Sequence, residues 1–190
     1  TLIVPLKPIH NEAFTNFGET QSIDLFADVS YDVTDRLEVT GGVRWTRDEK
    51  DSGLLVELLN GPSNLTFGGL FVQDSNGLIS ASDEFDDFTY RVAASYAATD
   101  NVNIYANYAR GRRPEVITAS ASAPSAGFAT LDAEIVDAFE LGLKGLFLNG
   151  NLSVETSVFS YDYSNFQSTQ VNATTGLIEP INAGDATSNG

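Results

Sequence analysis

A chain of 190 residues with 26 acidic against 10 basic side chains carries a formal net charge of -16, which repels phosphate backbones and excludes a nucleic-acid surface. The absence of cysteine removes disulfide frameworks and thiolate metal sites. No apolar run reaches the roughly eighteen residues that a transmembrane helix needs, but a mean hydropathy of -0.08 is compatible with strands that hide half their apolar content.

The chain opens at Thr1, contains no methionine, and shows no basic segment followed by an apolar one. It is therefore read as an excerpt, with any secretory signal lying upstream. His10 is the sole histidine, so it has no second imidazole for a metal site and is read as a loop residue.

From Ser22 onward the hydropathy has a period of two, the period of a strand. Ile23, Leu25, Ala27, Val29 and Tyr31 form one face of the first segment, opposite Ser22, Asp24, Phe26, Asp28 and Ser30. In the second, Leu37, Val39, Gly41, Val43 and Trp45 oppose Glu38, Thr40, Gly42, Arg44 and Thr46. The third and fourth carry Tyr90, Val92, Ala94, Tyr96 and Ala98, then Val102, Ile104, Ala106 and Tyr108. Phe139, Leu141, Leu143, Gly145 and Phe147 belong to the fifth, and Leu152, Val154, Thr156 and Val158 to the sixth, which becomes ambiguous after Val158. The phase comes from the apolar residues alone, yet Asp24, Asp28, Glu38, Arg44, Arg91, Glu140, Lys144 and Glu155 all fall on the opposite face.

The connections alternate between tight and long. Asp32 to Arg36, Thr99 to Asn101 and Asn149 to Asn151 are hairpin signals. Long segments run from about Lys50 to Asp87 and from about Gly111 to Glu134, with a third opening near Gln167. Acidic runs at 48–51 and 83–87 read as solvated loops, and the Ser/Ala-rich stretch 119–127 as a mobile one. Leu54 to Leu59 and Leu65 to Val72 are apolar enough for strand extensions or a small hairpin.

Short turns at one end and long loops at the other are what outer-membrane barrels show, with the long loops outside. In that orientation Tyr31, Tyr96 and Phe147 lie near the periplasmic ends, and Trp45, Tyr90, Tyr108 and Phe139 near the external ends, as two aromatic girdles. Asp137 shares the lipid-facing parity but precedes Phe139, which puts it beyond the external girdle. The expected fold is all-β: an antiparallel transmembrane β-barrel segment of about six strands. A soluble β-sandwich is the competing architecture.

Three segments resemble the C-terminal barrel region of TonB-dependent outer-membrane receptors. Leu25 to Leu37 running into Gly41 to Lys50 is similar to that family's hairpin with a Thr-Asp-Arg turn; Ile104 to Pro114 resembles its Tyr-Ala-x-Tyr-x-Arg-Gly-x-Arg-Pro strand end. Phe139 to Lys144, followed by Phe159 to Gln167, resembles its Glu-Leu-Gly-x-Lys strand and Tyr-Asp-Tyr-x-x-Phe-Gln rise, and Asn182-Ala183-Gly184 resembles the approach to another strand. The resemblance implies a 22-strand barrel of which residues 1–190 are a part, filled by a plug domain that this chain does not contain. It further implies outer-membrane localisation, contact with lipid and lipopolysaccharide, and TonB-driven import of a scarce nutrient such as a ferric siderophore. A passive porin or a barrel adhesin is the alternative.

By parity Arg44, Arg91, Glu140 and Lys144 face the barrel lumen, where they are candidates to contact plug or ligand, although lumenal charges ordinarily pair with one another. Arg110, Arg112 and Arg113 cluster where the fourth strand emerges, and are candidates for an anionic ferric chelate or for lipopolysaccharide phosphates. No Ser-His-Asp set, phosphate loop or pair of catalytic carboxylates can be assembled, since Gly41-Gly42 and Gly68-Gly69 are isolated pairs. Neither an enzyme nor a cofactor is expected.

Overall fold

The computed structural model describes residues 11–60, 72–171, 173 and 178–190. His10, Gly68-Gly69 and all of the 65–72 stretch except Val72 lie outside the described residues. The strands are β1 (Glu12–Thr34), β2 (Leu37–Leu58), β3 (Ile79–Thr99), β4 (Val102–Arg113), β5 (Val116–Ala119), β6 (Phe128–Leu131), β7 (Glu134–Phe147), β8 (Leu152–Ser164), β9 (Gln167–Val171), β10 (Ile178–Asn182) and β11 (Ala186–Asn189). A 3-10 turn, Pro124–Ala126, lies between β5 and β6.

One sheet contains seven strands in the order β1-β2-β3-β4-β7-β8-β11, an up-and-down meander once the small β5/β6 and β9/β10 hairpins are set aside. All six expected segments are in it. The seventh, β11, follows Asn182-Ala183-Gly184 and pairs antiparallel with β8. Between β4 and β7 the register runs unbroken from Val102 opposite Gly145 to Arg113 opposite Glu134.

The chain divides into two compact units. In the unit made of Ile23–Arg47, Asp86–Glu115 and Asp132–Gly190, the only buried apolar residue among those described is Ala133. Its apolar face stands uncovered: Ile23, Leu25, Val29, Tyr31, Val92, Tyr96, Ile104, Phe139 and Leu141 are all exposed. A β-sandwich would pack that face against a second sheet. A single layer with one uncovered apolar face is the wall of a membrane barrel, whose strands carry lipid-facing and interior residues alternately.

The tight turns follow from local chemistry. Thr34 Oγ1 accepts the backbone N–H groups of Arg36 and Leu37 at 3.2 and 3.1 Å, and Thr99 Oγ1 accepts that of Asn101 at 3.3 Å. Threonine thus opens both turns as a side-chain cap. The third turn strings together three left-handed residues, Leu148, Asn149 and Gly150, closed by Gly150 N–H donating to the Phe147 carbonyl at 3.1 Å.

The second unit comprises Thr1–Ser22, Asp48–Phe85 and Val116–Leu131. Leu54 and Val56 are fully buried here with Val72, and Leu58, Ile79, Ala119, Ala121 and Phe128 pack around them. Ser75 staples this core: its Oγ accepts the Val56 N–H at 2.9 Å, and its own N–H donates to the Val56 carbonyl at 3.1 Å. Leu54 to Leu58 is therefore a strand extension, as its composition suggests.

Two loop expectations change. The acidic runs 48–51 and 83–87 lie inside β2 and β3, whose strands have 22 and 21 residues. Alternation is lost there because charged side chains occupy both parities, Asp48, Glu49, Lys50 and Asp51 in one run and Asp83, Glu84, Asp86 and Asp87 in the other, so polarity no longer reports secondary structure. The 119–127 stretch is ordered by backbone bonds, Ala126 N–H to the Ala123 carbonyl and Gly127 N–H to that of Pro124, both at 3.0 Å, with Pro124 buried.

Candidate functional site

The polar face of the seven-stranded sheet brings the sequence-predicted charges together in pairs. Arg91 on β3 donates from Nε and Nη2 to Asp28 Oδ2 on β1, at 3.0 and 2.8 Å. The two strands are not neighbours, because β2 lies between them. The contact is possible because the intervening residue is Gly42, where a Cβ would run into Asp28 Oδ2 and sit 3.3 Å from the Arg91 side chain. On the same face Arg44 lies 3.9 Å from Asp24 and over the Phe26 ring, 5.6 Å from its centroid. Phe26, Asp28, Gly42, Arg44, Arg91 and Ala109 contribute to the lining of an open groove.

A second constellation lies across β4, β7 and β8. Tyr105 extends over Gly142, where a Cβ would collide with its ring, and its hydroxyl donates to Glu140 Oε1 at 2.6 Å. Lys144 stands 5.8 Å from the same ring and 3.7 Å from Glu155, its register partner on β8. Again a glycine on the neighbouring strand lets a long side chain lie flat. Parity places Asp24 and Asp28 on the polar face in the sequence, but only the structure pairs them with Arg44 and Arg91 and brings the Tyr105 hydroxyl to Glu140.

The three arginines at the end of β4 occupy three different settings. Arg110 belongs to the apolar parity, 3.9 Å from Asp137, which also accepts the Tyr108 hydroxyl at 2.9 Å; Tyr108 in turn stands 6.1 Å from Tyr90. Asp137 thus caps the aromatic band with polar groups. The Arg112 side chain is 6% exposed, with Glu115 at 3.2 Å and Asp87 at 3.9 Å, which leaves it inaccessible to a ligand. Arg113 donates to the Gln167 carbonyl at 3.4 Å.

Gln167 is the centre of a hydrogen-bonded knot that sequence reasoning did not single out. It is buried, its Nε2 donates to the carbonyls of Pro114 and Asp132 at 3.0 Å each, and its N–H donates to Glu134 Oε2 at 2.7 Å. Asn182 closes the knot: its Oδ1 accepts the Asp132 N–H at 2.9 Å, while Nδ2 donates to the Asp132 and Asn165 carbonyls at 3.0 and 2.8 Å. The residues that carry the sequence resemblance therefore satisfy one another's backbone where β4, β7 and β8 end.

A family model described as TonB dependent receptor-like, beta-barrel, matches residues 3–190. The chain belongs to this TonB-dependent receptor family. Among solved structures it is similar to the ferric yersiniabactin uptake receptor FyuA of Yersinia pestis, with a TM-score of 0.65 at 19% identity over 82% of this chain and 22% of that one. It is also similar to the ferric-catecholate import receptor Fiu of E. coli K12 in its closed form, with a TM-score of 0.64 at 19% identity over 92% of this chain and 25% of that one. At these identities the likeness shows the fold, a β-barrel wall, and the chain spans a quarter or less of either receptor. As a member of the TonB-dependent receptor family it presents its apolar face as the barrel's exterior and its paired polar face as the lumenal one.

Proposed function

We propose that this chain is part of the barrel domain of an outer-membrane receptor that binds a scarce nutrient and imports it actively, the nutrient being a ferric siderophore-type complex. The observation that carries the reading is the two-sided wall, uncovered and apolar outside and polar with paired charges inside, in a chain of the TonB-dependent receptor family. The iron-chelate cargo is supported by the two similar structures, both named for ferric-complex uptake. In this reading the long connections face outward, a plug domain encoded with the full receptor fills the lumen, and TonB acts through that plug. Arg110 emerges beside the external girdle, in position to meet lipopolysaccharide phosphates. The role is transport and not catalysis.

The test is growth under iron limitation of a Gram-negative host stripped of its own siderophore receptors and carrying the full receptor. Growth on a ferric siderophore that disappears when tonB is deleted is the expected result. Growth on the same chelate independent of TonB would establish a passive porin instead.

A further inference from the structure

The β8/β11 pair and the β9/β10 hairpin are two stretches of one ribbon. Tyr163 faces Ala186 in the first and Gln167 faces Asn182 in the second, so the same register passes from one to the other without a slip. Phe166 N–H donates to the Gly184 carbonyl and Ala183 N–H to that of Phe166, both at 2.7 Å, which keeps the two chains paired in between. The strands are nevertheless interrupted there, with a bend at Asn165. Asn165 has φ of 54°, and Gly184, which stands opposite it in that register, φ of 99°. Two left-handed residues facing each other turn both chains together, just past Ser164, where the ladder with β7 ends.

Gln167 and Asn182 form the first rung beyond this bend, and both reach back to the root of the β4–β7 connection. Gln167 Nε2 holds the Pro114 carbonyl, where the chain leaves β4, and the Asp132 carbonyl, where it returns to β7. Asn182 holds both the N–H and the carbonyl of Asp132, and its Nδ2 also donates to the Asn165 carbonyl at 2.8 Å. It therefore grips the root and the bend at once. Farther out the arm buries little apolar surface, since Val171 and Ile178, opposite each other, are exposed.

We infer that the β9–β10 arm is a hinged latch, with Asn165 and Gly184 as its hinge and Gln167 and Asn182 as its catch, closed across both ends of the β4–β7 connection. While the catch is closed, those two ends are tied together through one amide, and the arm cannot swing without releasing them. Opening gives up hydrogen bonds but little apolar contact, so it is a local event that leaves the ribbon paired on the β8/β11 side of the bend. In the import reading, which puts both connections outside, the latch makes two neighbouring outer loops move together.

Gly184→Ala tests the hinge. A Cβ at this position meets no atom within 4 Å, so the substitution acts through the backbone alone, which an L-residue holds at φ of 99° with strain. Asn182→Ala tests the catch. Hydrogen exchange resolved to single amides in the purified full receptor reads the Asp132 N–H, which closes on Asn182, and the Gln167 N–H, which closes on Glu134. Gly184→Ala is expected to speed exchange at both by about tenfold although it leaves every catch residue in place. Asn182→Ala should speed the Gln167 N–H comparably, and the double variant should exceed the faster single by less than about threefold, because both open one latch. The Phe159 and Gly190 amides, which bond each other's carbonyls across the ribbon on the β8/β11 side, should stay within about threefold of the wild type.

Unchanged exchange at Asp132 and Gln167 in Gly184→Ala would overturn the proposal. So would equal acceleration at Phe159 and Gly190, which would mean that the ribbon frays as a whole, or loss of heat-modifiable barrel migration in Gly184→Ala, since a local hinge does not hold up the wall. The measurement needs no substrate. Its failure leaves the import reading standing, and failure of TonB-dependent growth leaves the latch standing.

Discussion

Arg91 and Asp28 meet across a strand that separates them, and the residue beneath their ion pair is Gly42. The pair is about half exposed, so its own contribution is at most about 1 kcal/mol. What Gly42 supplies is space. Gly42→Val is expected to cost about 1 to 3 kcal/mol through overpacking, more than Asp28→Ala does. Unfolding in urea from liposomes measures both. Combining Gly42→Ala with Asp28→Ala should be less damaging than the sum of the two, because removing the carboxylate vacates the space that the new Cβ needs.

Gly142 plays the same part for Tyr105. Gly142→Ala should displace the ring from its position over β7 and break the hydroxyl contact with Glu140, at a cost of about 1 to 3 kcal/mol. Tyr105→Ala in the same chain should restore most of that loss. A double-mutant cycle without coupling between the two positions would contradict the geometry.

The alternation of Leu25 to Tyr31 with Asp24 and Asp28 was readable directly, because lipid on one side and polar lumen on the other impose opposite demands on successive residues. Where charged side chains occupy both parities, legibility ceased: Asp48 to Asp51 and Asp83 to Asp87 read as loops, although both continue their strands. Arg44, Arg91, Glu140 and Lys144 could be placed on the polar face by parity, but their partners depend on which strands adjoin and in what register. Gln167 was legible only as part of a motif. Its role depends on the carbonyls of Pro114 and Asp132, 53 and 35 residues away, which no local pattern encodes.

Removing the Gln167 side chain should therefore do more than its size suggests. Gln167→Ala would strip two carbonyls of their donor where β4 and β7 end, at about 1 to 3 kcal/mol if both stay dry. Hydrogen exchange in the full receptor should rise in β9 and β10, with the β4/β7 ladder still protected. Uniform loss of protection across that ladder would show that the knot holds the whole wall and not its rim alone.

Leu148 is a bulky residue with φ of 55° in the Phe147 to Asn151 turn, and it is largely exposed. For an L-residue that conformation costs about 1 to 2 kcal/mol, and asparagine or glycine tolerates it better. Leu148→Asn should consequently raise the unfolding free energy by about 0.5 to 1 kcal/mol, without effect on ligand binding, since the turn lies at the opposite end of the sheet from the long connections. A loss of stability would mean that the leucine side chain anchors in the membrane interface strongly enough to outweigh its backbone strain.

The assignment of faces can be tested with one pair of substitutions on adjacent residues of β4. Ala106 lies on the apolar parity, between Ala94 and Leu141 in the register, and Asn107 on the polar parity, between Ala93 and Glu140. Ala106→Arg places a charge against hydrocarbon near midspan, at about 2 to 4 kcal/mol. Asn107→Arg puts the same charge beside Glu140 in the lumen and should change stability by under about 1 kcal/mol. Both substitutions introduce the same side chain into the same strand, so propensity and size largely cancel in the comparison, and reversal of the order in unfolding from liposomes would turn the wall inside out.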